Sequence, residues 1–192
     1  MPKLITFSGI DGSGKTTQCG MLSDALRNRG QSVFSGHANR PLLRHDTKGS
    51  RASTLPRWLR WFPVFLFIVI KDLLKIWLTS IQARQFDVWI SDRYVDDLIV
   101  KLRHYGMRSA SLESLVFSCT PTPLFRFWMT IPVEVSWSRD HEYSREFHQT
   151  KAALYLEWFD SPRCRNVVRL DGTQTPEEIH NLVMQRLEHV LQ

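Results

Sequence analysis

The hydrophobic and polar positions of the chain follow two different periods. Short apolar runs predict buried β-strands, at residues 4–7, 32–35, 88–91, 125–131 and 167–170. Longer segments in which apolar residues recur three and four positions apart predict helices, at residues 15–29, 63–84, 95–105, 132–138, 142–159 and 176–191. Strands that alternate with helices indicate an α/β fold, in which helices cover both faces of a parallel sheet and ligands bind at the carboxyl ends of the strands.

The last predicted helix carries a complete start signal. Thr175 is a favourable N-cap, Pro176 occupies the first helical position, and Glu178 completes a capping box. We therefore expect a helix to begin at Pro176.

Length, charge and cysteine content narrow the classes of protein. The 192 residues suffice for one core and no linker or repeat is visible, so we predict a single domain over residues 1–192. The net charge of +6 suits polyanionic ligands, but without a recognisable nucleic-acid-binding motif we expect no nucleic-acid partner.

The three cysteines lie far apart, which predicts neither a disulfide framework nor a zinc site and fits a reducing cytoplasm. Because the first strand starts near residue 1, we also expect no signal peptide.

The segment at residues 57–78 raises the question of a membrane. Its uncharged run, residues 61–70, is about half of the ~20 apolar residues that a spanning helix needs. We therefore predict a buried core helix. Contact of Trp58, Trp61 and nearby arginines with a lipid surface is the alternative.

Residues 9–16 carry the first chemical signal. They fit the pattern G-x-x-x-x-G-K-[ST] at every fixed position, between a predicted strand and a predicted helix, and this indicates a nucleoside triphosphate site. Lys15 is expected to reach the β- and γ-phosphates, and the Thr16 hydroxyl to hold Mg²⁺. The predicted nucleotide-binding residues are Gly9, Asp11, Gly12, Ser13, Gly14, Lys15, Thr16 and Thr17. The alternative is a glycine-rich turn beside an ordinary surface lysine.

A second signal follows the predicted strand at residues 88–91. The strand delivers Asp92 and Arg93 to the sheet edge that carries the phosphate loop. Asp92 is expected to bind Mg²⁺ through water and Arg93 to clamp a phosphate of the acceptor, the alternative being a surface salt bridge. Asp96 and Asp97, one turn further, offer a general base or a sugar-hydroxyl contact. Adjacent acids on a helix point in different directions, so at most one faces the site, and we assign this role to Asp97.

Two segments, FSGIDGSGKTTQ near the N-terminus and ISDRY after the third strand, together resemble the thymidylate kinases. Residues 131–135 are similar to the family's strand-to-helix junction, and residues 170–175 to its loop near the adenine. The resemblance implies a P-loop NTPase fold, a three-layer α/β/α arrangement with a five-stranded parallel sheet and a helical lid at roughly residues 138–150. It also implies ATP as phosphate donor, Mg²⁺, a small-molecule phosphate acceptor and a homodimer.

The same resemblance implies roles for single residues. Asp11 would approach the sugar hydroxyl of the acceptor, and Arg93 would hold its phosphate. Arg139 and Arg145 occupy the place of the lid, where an arginine that neutralises the transferred group is worth ~10³ or more in rate. For each of these two arginines, the alternative is a solvated helix start. The catalytic residues predicted in this way are Lys15, Asp92, Arg93, Arg139 and Arg145.

Three acceptor-side motifs depart from the family pattern. After the second strand, thymidylate kinases usually carry a Glu-Pro-Gly-Gly turn. In this chain, only Arg40 and Pro41 are similar to that turn. The helix that contacts thymine keeps Phe67 but has Lys71 where the family has arginine, and lysine cannot make an arginine's paired hydrogen bonds. An apolar residue replaces the base-reading glutamine. We expect Arg40, Phe67 and Lys71 to contact the acceptor, while the basic stretch 40–60 either closes over it or forms a surface loop.

These observations leave three functions open. The first is ATP-dependent phosphoryl transfer to a nucleoside monophosphate, with dTMP converted to dTDP. The second is a kinase of the same fold acting on a sugar or a lipid-linked intermediate, which the altered thymine contacts and the Trp-rich helix support. The third, supported only by the basic charge, is a non-catalytic nucleotide-binding module.

Overall fold

The computed structural model describes residues 1–36, 57–162, 164 and 166–191. Arg40, which we predicted as an acceptor contact, lies outside the described residues, as does most of the basic stretch 40–60. The lipid-contact alternative also rests on Trp58 and Trp61, whose side chains lie outside the described part of the molecule.

Helices and strands alternate along the chain as predicted. The strands are β1 (Lys3–Gly9), β2 (Val33–Gly36), β3 (Val88–Asp92), β4 (Phe125–Thr130) and β5 (Val167–Asp171). The helices are α1 (Lys15–Asn28), α2 (Arg57–Ala83), α3 (Val95–His104), α4 (Ala110–Ser118), α5 (Val133–Arg139), α6 (Arg145–Phe159) and α7 (Pro176–Leu191). The strands form one parallel sheet in the order β2-β3-β1-β4-β5. This confirms the predicted five-stranded parallel sheet.

Among the differences from the sequence prediction, which include the start of α2 at Arg57 in place of residue 63, two have local causes. Helix α4 was not predicted, because its buried residues are only Glu113 and Val116 and they give too weak a period to recognise. The helix expected from residue 142 begins instead at Arg145, because the Ser144 side chain caps it by accepting a hydrogen bond from the N–H of Phe147 at 3.3 Å. The predicted lid therefore consists of the end of α5, a short non-helical turn and the start of α6.

The two faces of the sheet pack against two separate cores. Ile5, Ile90 and Phe127 point to one face and pack with α1 and α7. Their neighbours in sequence, Leu4 and Trp89, point to the other face and pack with α2, α3 and α6. The alternation follows from the two-residue period of a strand, and burial on both faces explains why the predicted strands are apolar throughout. The three-layer α/β/α arrangement is confirmed.

The start of α7 is formed as the sequence predicts. The N–H of Glu178 donates to Oγ1 of Thr175 at 3.3 Å, and the N–H of Thr175 donates to Oε2 of Glu178 at 2.9 Å. This reciprocal pair is a capping box, which satisfies two backbone donors that a helix start otherwise leaves open.

Helix α2 is apolar on two opposite sides. Ile68, Asp72 and Ile76 face the core, whereas Phe67 and Leu74 are on the outward side and are 63% and 56% exposed. The prediction of a core helix therefore holds for one side of α2 only. Within the described residues, no helix is both long enough and apolar enough to cross a bilayer.

Candidate active site

The chain that leads from β1 into α1 requires glycine at two positions, for different reasons. A Cβ at Gly9 would lie 2.5 Å from the carbonyl oxygen of Met129 on the next strand. Gly14, the residue before α1, has φ of 91°, a left-handed conformation that glycine adopts at no steric cost. These constraints turn the chain sharply into α1, so that backbone N–H groups and the helix N-terminus face the same space, as phosphate binding requires.

Lys15 lies buried within this loop. Its Nζ donates to the carbonyl oxygen of Ile10 at 2.7 Å and to Oγ of Ser13 at 3.1 Å. Burial lowers the pKa of Lys15 to about 8, Arg93 adds to the decrease, and nearby acids, Asp11 first, oppose it. A polyphosphate at this position would compensate the burial of the charge, because it places negative charge beside the ammonium group.

Thr16 and Asp92 meet where α1 begins and β3 ends. The Thr16 hydroxyl donates to Oδ2 of Asp92 at 2.6 Å. A hydroxyl and a carboxylate are both hard oxygen donors, which is the ligand chemistry that Mg²⁺ prefers when substrate phosphates and water complete its shell. These two residues therefore fit a magnesium site of the kind that the phosphate-loop pattern implies.

Arg93 follows β3 in a left-handed conformation, with φ of 70°. Its N–H donates to the carbonyl oxygen of Phe7 at 2.9 Å, which extends the pairing with β1 by one residue. The guanidinium forms an ion pair with Asp11 and a second one with Asp97, whose Oδ1 lies 3.3 Å from Nη1. Burial favours the neutral guanidine, but the carboxylates of Asp11 and Asp97 raise the pKa of Arg93 overall, so it stays charged.

Asp97 is held from four directions. It accepts hydrogen bonds from Oγ of Ser8 at 2.7 Å, from the N–H of Tyr94 at 3.0 Å and from the hydroxyl of Tyr155, in addition to Arg93. Burial, and Asp97 after it, raise the pKa of Tyr155 well above its usual value, so the phenol stays protonated and donates.

Asp96 points away from Asp97. Its carboxylate pairs with Arg126 and accepts from Nε1 of Trp158 at 2.7 Å, inside the core between α3 and α6. The prediction that these adjacent acids face different directions is confirmed.

The two lid arginines are placed differently. Arg139 donates from Nη1 to the carbonyl oxygens of Gly12 and Gly172, both at 3.3 Å, so its guanidinium bridges the phosphate loop and the loop after β5. Arg145 forms an ion pair with Glu134 at 2.7 Å, and both side chains are more than half exposed. Of the two, the structure brings only Arg139 to the phosphate loop.

A cavity of about 560 Å³ opens over the phosphate loop. Its lining comes from residues 11–18, Asp92, Arg93, Met129, Arg139, Gly172, Gln174, Pro176 and Ile179. Gly172 seats the loop after β5 on the phosphate loop, since a Cβ there would lie 2.9 Å from the carbonyl oxygen of Ser13. The segment that resembles the family's adenine loop therefore forms one wall of this cavity.

Two predicted acceptor contacts on α2 lie apart from this cavity. Phe67 projects from the exposed side of the helix. Lys71 pairs with the buried Asp72 at 2.9 Å, and Lys101 pairs with the other oxygen of the same carboxylate at 3.1 Å. Neither Phe67 nor Lys71 is among the residues that line the cavity.

Several residues near the site were missed in the sequence. Oγ of Ser136 lies 2.6 Å from the carbonyl oxygen of Asp11 and 2.6 Å from Nδ1 of His148. The hydroxyl has one proton, which it donates to the carbonyl, so Nδ1 of His148 donates in turn to the hydroxyl. On α6, His148, Lys151 and Tyr155 share one helical face, and this spacing is the only signal the sequence offers for them.

Comparison with known proteins identifies the family. No family model matches the chain. It is 30% identical over 200 residues to the thymidylate kinase of Sulfurihydrogenibium sp. (strain YO3AOP1), which covers 96% of each protein. It is 34% identical over 203 residues to the thymidylate kinase of Dinoroseobacter shibae, which covers 92% of each. The chain belongs to the thymidylate kinase family.

The fold agrees with this membership. The structure of thymidylate kinase from Candida albicans superposes with a TM-score of 0.66 and 16% identity, covering 98% of this chain and 92% of that one. The P-loop nucleoside-monophosphate kinase fold is confirmed, and as a member of the family the protein is a nucleoside-monophosphate kinase.

Proposed function

We propose that the protein transfers the γ-phosphoryl group of ATP to dTMP and forms dTDP. The observation that carries this proposal is the meeting of three groups beside one cavity: Lys15, the Thr16–Asp92 pair and Arg93. Two relatives, at 30% and 34% identity, are named thymidylate kinase, and this supports dTMP as the acceptor.

The donor side follows from the phosphate loop. The ATP phosphates would lie along the backbone N–H groups of residues 11–17, with Lys15 beside the β- and γ-phosphates. Thr16 and Asp92 would hold Mg²⁺, which neutralises charge on the phosphate oxygens when bound. The wall formed by Gly172, Gln174 and Ile179 would receive the adenosine.

The acceptor side follows from Arg93. Asp11 and Asp97 fix its guanidinium from two directions, so it can present its remaining N–H groups to the acceptor's phosphate without losing its orientation. The attacking oxygen of a nucleoside monophosphate is already anionic at neutral pH, so the reaction needs no general base. In this account, Asp97 positions Arg93 and does not abstract a proton.

Arg139 is the lid arginine that the geometry favours for charge neutralisation. It bridges the carbonyls of Gly12 and Gly172 at the edge of the cavity, within reach of a transferred group above the loop. Arg145 is committed to Glu134 at the surface. We therefore propose Arg139 for this role and exclude Arg145 from it.

A second candidate function keeps the donor side and changes the acceptor. The exposed position of Phe67 and the pairing of Lys71 with Asp72 favour it, because neither residue is presented as a thymine contact. The acceptor would then be a sugar or a lipid-linked intermediate.

A panel of acceptors separates the two functions. ADP release from Mg·ATP is measured with each nucleoside and deoxynucleoside monophosphate in turn, with the Lys15→Ala protein as blank. Turnover with dTMP supports the first function. Failure with every monophosphate, in a protein that binds ATP, overturns it and favours the second.

We also propose a homodimer, as the family resemblance implies. The outward side of α2 carries exposed apolar residues along its described length, including Phe67, Ile70, Leu74 and Ile81. A contiguous apolar stripe of this kind is costly to leave in water, and a second copy of the same helix would cover it.

A further inference from the structure

Among the residues that the structure describes, the charged groups around Arg93 on the acceptor side sum to a net negative charge. Arg93 is paired with both Asp11 and Asp97, so these three groups together carry a formal charge of −1. A phosphate monoester carries about −1.5 to −2 at neutral pH. Lys15 is engaged within the phosphate loop and serves the donor. Within the described part of the chain, a further cation beside Arg93 would therefore favour binding of the acceptor's phosphate.

The register of α6 places Lys151 on the face of the helix that contacts the acceptor side, although Lys151 itself does not line the cavity over the phosphate loop. It lies three residues after His148 and four before Tyr155, so all three share one helical face. His148 is joined through Ser136 to the carbonyl oxygen of Asp11, and Tyr155 donates to Asp97. Lys151 thus stands between the two side chains that fasten α6 to the acceptor side.

The surroundings of Lys151 suit an anionic partner. Its ammonium group lies 5.5 Å from the ring centroid of Phe147, and it makes no ion pair with any residue that the structure describes. Burial lowers the pKa of Lys151 to about 8, with Arg93 adding to the decrease and Asp11 and Asp97 opposing it. A bound phosphate would reverse this decrease, because negative charge favours the protonated amine.

Lys101 is a weaker candidate for the same role. Its ammonium group is paired with the buried Asp72 at 3.1 Å, and Lys71 shares that carboxylate. A charge that is already paired in the interior contributes less to a new anion than one that is not.

We propose that Lys151 is the second cation, beside Arg93, that binds the phosphate of the acceptor. The proposal rests on the phosphoryl-transfer function above and adds a specificity-determining residue to it. Lys151 favours phosphorylated acceptors over the corresponding unphosphorylated nucleosides, because the phosphate is the only group of the acceptor with which its positive charge would pair.

Steady-state kinetics of three variants test this role. Lys151→Met removes the charge and keeps most of the side chain, whereas Lys151→Arg keeps the charge. Arg108→Met is the matched control, because it also removes one positive charge and its partner, Glu157, lies on the same helix as Lys151. We expect Lys151→Met to raise the KM for the monophosphate by about tenfold or more while the KM for ATP stays within about twofold. Lys151→Arg should restore most of the loss, and Arg108→Met should match the wild type.

Inhibition by the unphosphorylated nucleoside separates charge recognition from a change of shape. The nucleoside competes with the monophosphate but offers Lys151 no phosphate, so its inhibition constant should be the same in the wild type and in Lys151→Met. An inhibition constant that rises as much as the KM would overturn the proposal, since Lys151 would then shape the pocket.

The outcomes also distinguish this proposal from the function on which it rests. If the wild type uses a monophosphate and Lys151→Met changes neither KM, the role of Lys151 is wrong and the kinase function stands. If the wild type uses no monophosphate at all, the proposed function is wrong and the role of Lys151 is wrong with it.

Discussion

Thr16 and Asp92 are 76 residues apart in sequence, and the hydroxyl of one donates to the carboxylate of the other at 2.6 Å. The contact joins the first turn of α1 to the last residue of β3. It exists because β1 and β3 pair in parallel, with Phe7 opposite Asp92, so that the loop after one strand meets the end of the other.

We predict that Asp92→Asn lowers kcat on the order of 100-fold and shifts the Mg²⁺ concentration needed for half-maximal rate upward. The amide keeps the shape but loses the charge that attracts the cation. Titration of activity with MgCl₂ at saturating substrates measures both effects. Asp87→Asn is the control, because Asp87 lies at the opposite end of β3 and accepts hydrogen bonds from the N–H and the hydroxyl of Ser32. An unchanged magnesium requirement in Asp92→Asn would contradict the assignment.

The pKa of Lys15 predicts a pH dependence for ATP binding. With a pKa of about 8 in the free protein, Lys15 is partly neutral at pH 8 and charged below it. Bound phosphates favour the charged form and raise this pKa, so binding takes up protons near pH 8 and affinity falls as the pH rises further.

Titration calorimetry in two buffers of different ionisation enthalpy measures this uptake. We expect a fraction of a proton per ATP at pH 8 and much less at pH 6, where Lys15 is already protonated. In Lys15→Met the uptake at pH 8 should be lost. Uptake of the same size in that variant would show that another group titrates.

The two lid arginines should differ in their kinetic effect. Arg139→Ala removes a guanidinium from the edge of the cavity, and we expect kcat to fall by about 10²–10³. Arg145→Ala removes an exposed surface ion pair, which solvent screens, and should leave kcat within about threefold. Equal losses in the two variants would show that α6 brings Arg145 over the donor during turnover.

The exposed apolar side of α2 predicts a homodimer. A charged residue introduced on that side should disrupt the dimer. Leu74→Glu places a carboxylate in the middle of the exposed stripe and should convert a dimer to a monomer. Light scattering coupled to gel filtration should give twice the chain mass of 22.5 kDa for the wild type and that mass for the variant. Gln82→Glu, at an exposed polar position of the same helix, should stay dimeric. A monomeric wild type would contradict the predicted homodimer.

The sequence was most informative where function depends on neighbours in the chain. The glycines, Lys15 and Thr16 lie in one loop, and their spacing alone indicates the phosphate site. Thr175 and Glu178 likewise form their capping box within one turn. Patterns of this length are visible because the contacts that they specify are local.

Contacts between distant segments were not visible in the same way. Ser8 and Tyr155 converge on Asp97 from 89 and 58 residues away, and no periodic pattern connects them. Arg139 and Arg145 look equivalent in sequence, and only the position of Glu134 on α5 and of the Gly172 carbonyl separates them. Phe67 matched a family motif, yet the register of α2 turns it outward.

Transfer of a phosphoryl group from ATP to a nucleoside monophosphate at this site can be measured directly. The most direct test follows γ-labelled ATP incubated with Mg²⁺, dTMP and the wild-type protein, with Lys15→Ala in parallel and folding of both checked by circular dichroism. We expect labelled dTDP from the wild type and a rate lower by about 10²–10³ or more in the variant. Labelled inorganic phosphate without labelled dTDP, or equal product from both proteins, would contradict it.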